Sequence, residues 1–224
     1  MIKVEHIDTW GFEHAIRGMR NPLNSWERSD SSFGYEAYSG EFVPDLRIGE
    51  NDLDLMHRLY VGGQPHRKYL RQIFAVMDII APLYWWKEFD TYKVGTTANS
   101  CSTMHKITAK EFTLDDFSHE HLLNEYGVAV EDWKSEWLED LHITIGRLNC
   151  ARQCFLDTKD KRYWWQLIQL LPSSYNQRRT VSMTYENVMN MLDYRENHKL
   201  DEWREFCEIL RGLPYVKWIR GENK

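Results

Sequence analysis

The sequence predicts a helix-rich α+β fold, a small central sheet flanked by helices. Three observations carry this expectation. Residues 2–7 alternate as Ile-Lys-Val-Glu-His-Ile, Ile73–Ile80 is a short apolar, partly β-branched run, and 178–185 alternate again, so each reads as a strand and all three are expected in one sheet. The apolar residues elsewhere fall at helical spacing, as at 133, 137, 138, 141, 145 and 148. Strand and helix signals are interspersed, with no internal repeat, low-complexity run or composition break, so one domain is expected over 1–224.

Taken in order, Thr9 is expected to cap a short helix through Arg17. Residues 20–44 are dense in Asn, Ser, Gly and Pro and read as an irregular loop. Its aromatics, Trp26, Phe33, Tyr35, Tyr38 and Phe42, imply packing on the body or on a partner chain. A helical stripe covers 51–60 and stops at Gly62-Gly63-Gln64-Pro65. Pro82 is expected to open an aromatic helix, and the small polar run Gly95–Ser102 to end it as a loop offering hydroxyls and backbone N–H groups. Residues 105–117 read as an edge segment or loop, with Thr113 and Asp116 in capping-box spacing. Helices are expected over 133–156, 162–171, 187–194 and 198–210, the last ended by Gly212 and Pro214.

Composition narrows the function classes. A net charge of −6 argues against a general nucleic-acid-coating role. No apolar run approaches the roughly 20 residues of a membrane span. Glu5, His6 and Asp8 interrupt any leader-like apolar core, so a cytoplasmic protein is expected. Four cysteines form no Cys-x-x-Cys pair; Cys150 and Cys154 stand one helical turn apart and read as buried thiols, with His142 the one nearby residue that would extend them toward zinc. No metal site is expected. His119-Glu-His121 lacks the i, i+4 spacing of a helical zinc pair, and no P-loop, Gly-x-Gly-x-x-Gly or Gly-x-Ser-x-Gly is present. Two anion candidates stand out. Arg178-Arg179 sits beside Ser173, Ser174 and Asn176; Arg195 sits at an interhelical corner, where a guanidinium can fork onto phosphate.

Several stretches together resemble the flavin-dependent thymidylate synthases (ThyX). They are Leu171-Pro-Ser-Ser-Tyr, the strand to Thr184, Asn187–Arg195 and Asp201-Glu-Trp-Arg-Glu-Phe, with the central stretch 73–104 and the N-terminal elements in the family's order. The resemblance spans nearly the whole chain. It implies a ThyX-like fold, FAD as cofactor, a homotetramer, and reductive methylation of dUMP to dTMP with methylenetetrahydrofolate. Nucleotide ligands carried over by position are Lys93, Thr96, Asn99, Ser102 and Arg195; Tyr92 and Thr184 fall at cofactor positions. Thr91-Tyr92-Lys93 stands where the family has Arg-His-Arg, Thr184-Tyr185-Glu186 where it has Asn-Ala-Arg, and Ile168 and Met104 each replace an Arg.

The family site takes two anionic ligands. Each charge-assisted bond lost costs on the order of 1.5–3 kcal/mol, so these replacements predict little or no flavin binding. The alternative to the enzyme is therefore a non-catalytic nucleotide-binding relative, acting as a sensor, sponge or assembly protein. No catalytic residue is assigned, since chemistry in the family belongs to the cofactor.

Overall fold

The computed structural model describes residues 2–38, 41–123 and 137–223. Strands β1 (Lys3–Trp10), β4 (Phe74–Pro82), β5 (Thr96–Ser100) and β6 (Asn176–Thr184) form a four-stranded sheet in the order β1-β4-β6-β5. The expected common sheet of Ile2–Ile7, Ile73–Ile80 and Thr180–Thr184 is thus present, with Tyr185 already opening the next helix. β5 runs antiparallel to β6: Thr184 N donates to Gly95 O at 3.0 Å and Cys101 N to Arg178 O at 2.9 Å. The central strand β4 buries Ala75, Met77, Ile79 and Ala81 on one face, the two-residue period that its sequence announces.

Contacts divide the chain into two compact units, and each of these four strands gives residues to both. The first unit holds 2–5, 78–91 and the described residues of 98–180. Helix α3 (Leu83–Phe89) packs Trp85, Trp86 and Phe89 inward, with the two indoles edge to face at 4.9 Å. α4 (Thr103–Lys106) follows β5. The expected capping box is present: Thr113 N donates to Asp116 Oδ2 at 2.9 Å. α5 (Trp137–Thr158) turns Leu141, Ile145 and Leu148 toward Leu167 of α6 (Lys161–Leu170) in one apolar cluster. The predicted start of α5 at 133 lies outside the described residues.

The second unit holds 6–77, 92–97 and the described residues of 181–224. The helix expected from Thr9 begins later. β1 runs to Trp10, and α1 (Phe12–Arg20) starts behind Gly11, which has φ +94°. A Cβ at position 11 would lie 2.1 Å from Gln72 O, so only glycine fits that corner. The expected loop 20–44 is also corrected. After two short 3-10 turns, β2 (Ser32–Tyr38) and β3 (Glu41–Arg47) pair antiparallel, Phe33 opposite Leu46. Pro44 is tolerated in β3 because a two-stranded ribbon has only edges. α2 (Glu50–Val61) matches its stripe. α7 (Tyr185–Arg195) and α8 (Asp201–Arg211) match theirs, and α9 (Val216–Arg220) is an addition beyond Pro214.

A buried ion pair fastens the 20–31 segment to α2. Arg20 Nε donates to Asp52 Oδ1 at 2.6 Å, and its other nitrogens reach Ser25 O and Arg28 O. Asp52 Oδ2 accepts from Ser29 Oγ at 2.7 Å and Ser31 Oγ at 2.6 Å. Neither Arg20 nor Asp52 is exposed to solvent beyond 3%.

Candidate functional site

The stretch 92–96 is shaped by the start of α7. Thr184 accepts from Asn187 N as the helix cap, and Asn187 Nδ2 donates to Val94 O at 2.9 Å. With Thr184 N on Gly95 O, two buried residues hold the turn by three bonds, one of them internal to the cap. Gly95 has φ +79°, and a Cβ there would come within 2.9 Å of Asn187 Nδ2. The hydroxyl of Thr96 donates back to Tyr92 O. The small polar run is therefore no loop beyond position 95. It enters the sheet as edge strand β5, because β6 supplies the hydrogen bonds that its side chains do not advertise.

This turn presents Tyr92 to the end of α7. Arg195 Nε donates to Tyr92 OH at 3.1 Å. The guanidinium carbon lies 5.8 Å from the Tyr92 ring centre and 5.1 Å from that of Trp203 on α8. Aromatic faces on both contacts attract the cation and fix its plane, while Arg195 stays half-buried, within reach of solvent. Nearby, Glu196 pairs with Arg211 at 2.7 Å and Asp201 with Arg204.

The structure thus brings Tyr92, Thr96, Thr184 and Arg195 into one neighbourhood. Lys93 is exposed on the same turn. Asn99 and Ser102 belong to the other unit. Asn99 is exposed on β5; Ser102 accepts from His105 N at 3.3 Å and lines a cavity of about 300 Å³ with Lys106, Tyr175 and Asn176. Sequence reasoning missed Asn187 and Trp203. Asn187 had a signal, its place three residues after the Thr184 cap; Trp203 had none.

The second anion candidate is neutralised. Arg178 pairs with Glu5 at 3.0 Å and Asp78 at 3.3 Å. Arg179 pairs with Asp90 at 2.7 Å and lies 4.2 Å over the Trp86 ring.

The positions assigned to flavin by resemblance do not fit that group. Tyr185 is fully buried, its hydroxyl donating to Pro214 O at 3.0 Å. Thr184 is spent on capping. Glu186 forms a two-bond fork with Arg71, at 2.6 and 3.1 Å. Arg67 stands 4.0 Å from the same carboxylate and donates to Asn190 at 3.2 Å. Glu186 thus stands against two cations. Among the described residues no three His, Cys, Asp or Glu side chains converge as metal ligands.

No protein-family model matches the chain, and no curated protein matches it. Solved structures do. The flavin-dependent thymidylate synthase ThyX from Helicobacter pylori, complexed with FAD and dUMP, superposes with a TM-score of 0.63 at 18% identity, over 99% of this chain and 98% of that one. The UMP/dUMP methylase PolB from Streptomyces cacaoi, bound with 5-Br UMP, gives 0.62 at 14% identity over 99% and 92%. The chain has the fold of the flavin-dependent thymidylate synthases. At this identity the likeness concerns the fold, and the ThyX-like α+β architecture inferred from residues 73–104 and 171–206 is the one present.

Proposed function

We propose that the protein binds a pyrimidine nucleotide of the dUMP class through Arg195 and does not hold FAD in the pose of its structural relatives. The observation that carries the reading is the clamp of Tyr92 and Trp203 on Arg195, a guanidinium pre-set for a phosphate at the position where the family resemblance places one. Lys93 and Thr96 on the same turn are further proposed ligands. Reduced flavin is the hydride source of the related reaction, so a chain without it is a binder: a sensor, sponge or assembly protein. The fork between Glu186 and Arg71 supports this over the methyltransferase reading.

The same reading includes a homo-oligomer, a tetramer by family resemblance. Five tryptophans, Trp10, Trp26, Trp137, Trp165 and Trp218, are 44–51% exposed in the single chain, and aromatic side chains are enriched at subunit contacts. A cytoplasmic setting accords with the absence of any disulfide among its four cysteines. Among the described residues no helix is long and apolar enough to cross a membrane.

The test is calorimetric titration of dUMP into wild type and Arg195→Ala, with an absorbance spectrum before and after adding FAD. Loss of about 2–3 kcal/mol in the variant is expected, the scale of a charged hydrogen-bonded pair. Equal affinities would remove Arg195 from the site. A wild type that purifies yellow with tightly held flavin would favour the methyltransferase.

A further inference from the structure

Cys150 and Cys154 were expected to be buried, and they are not. Both lie on α5, one turn apart, with Cys150 exposed and Cys154 half-exposed. The core stripe of α5 passes through Leu141, Ile145 and Leu148, leaving the two thiols toward the solvent side of the helix. The two cysteines are not joined in a disulfide. Residues four apart on a helix project side by side, so the backbone holds the two side chains next to each other before any ligand arrives.

We propose that Cys150 and Cys154 form a dithiol site for thiophilic electrophiles that need two sulfurs, the class of monosubstituted trivalent arsenicals. Three features select this class. Among the described residues no third His, Cys, Asp or Glu joins the pair, so an ion demanding three or four protein ligands is not satisfied. An arsenical R–As=O brings its own third substituent and needs two sulfurs only. Two side chains one turn apart on the same helix face are neighbours, which suits a bent S–As–S bridge between them. The step is balanced without an oxidant: two As–S bonds form, the As=O bond is lost, and both thiol protons leave with that oxygen as water. Loss of solvation and the neighbouring Cys150 sulfur raise the Cys154 thiol above its usual range. The exchange with an arsenical releases water and needs no free thiolate to balance.

Phenylarsine oxide is the probe, added to the full chain under native conditions and followed by intact-protein mass. One adduct per chain is expected that survives excess 2-mercaptoethanol and is stripped by ethanedithiol, because only a second chelate competes with a chelate. Cys150→Ser and Cys154→Ser should each lose the resistant adduct, while Cys101→Ser keeps it. These positions reach solvent, so folding is expected to survive; unchanged circular dichroism and dUMP affinity would verify it. An adduct that 2-mercaptoethanol removes, or one that persists in both single variants, would overturn the site.

Discussion

Removing the charge at Asp52 is expected to be the most damaging conservative change in the second unit. Asp52→Asn keeps the volume and shape of the side chain but leaves the Arg20 guanidinium buried, only 3% exposed, with no counter-charge. Breaking one side of a buried pair typically costs about 3–5 kcal/mol. The surroundings argue for the upper half of that range. The lost carboxylate also serves Ser29 Oγ, Ser31 Oγ and, at 3.3 Å, Asp30 N, and the new amide must turn an N–H toward some of these donors. Against a total stability of about 5–15 kcal/mol, such a loss is a third or more. Urea titration followed by tryptophan fluorescence reads it; Trp26, bonded to Asn21 at 2.8 Å, sits within the fastened segment. Arg20→Met combined with Asp52→Asn should cost less than the sum of the two, with a coupling of about 1–3 kcal/mol. Burial alone would raise the Asp52 pKa, but the bonds from Ser31, Ser29 and Arg20 outweigh it and hold the carboxyl below its ordinary value. Its contribution is therefore complete above the unfolded pKa of about 3.9 and is lost as pH falls through the lower folded value. Asp52→Asn should flatten that part of the acid limb. A variant within about 1 kcal/mol of wild type would refute the buried-pair account.

Two further changes test the site and the thiols. Gly95→Ala forces a side chain into a left-handed conformation against Asn187 Nδ2 and Thr184 Oγ1, and should lower stability by about 1–2 kcal/mol while weakening dUMP binding; an unchanged melting temperature would mean the turn is not held as described. Iodoacetamide on the native protein should modify the exposed Cys101 and Cys150 and spare Cys207, whose thiol burial pushes up to about 11; Cys207 should react only in denaturant, and native labelling there would contradict the packing of α8.

How far the fold was legible depends on where each segment's hydrogen bonds and apolar faces go. β4 and α5 carry their environment in their own sequence, alternate burial in one and a three-to-four spacing in the other. The hairpin 32–47 hid because Gly34, Pro44 and the Ser39-Gly40 pair look like loop residues, although apolar alternation continues through them. β5 hid more deeply: Thr-Thr-Ala-Asn-Ser has no apolar period, and it is a strand only because β6 lies alongside. At the site, Arg195 was visible from its corner. Its clamp was not, since Tyr92 is 103 residues away in sequence and Trp203 falls in an ordinary helix stripe.

Glu186 gives the instructive case. By the family resemblance it reads as an anion standing where a cation would help hold the flavin. In the fold it meets Arg71 115 residues away, with Arg67 behind it, and becomes one side of a satisfied pair. The consequence runs opposite to simple reversal. An Arg restored at 186 would face Arg71 and Arg67 with no anion among them, and like charges that close oppose folding until a ligand neutralises them. An Arg at 186 would therefore need further changes at Arg71 and Arg67 before that corner could receive an anion.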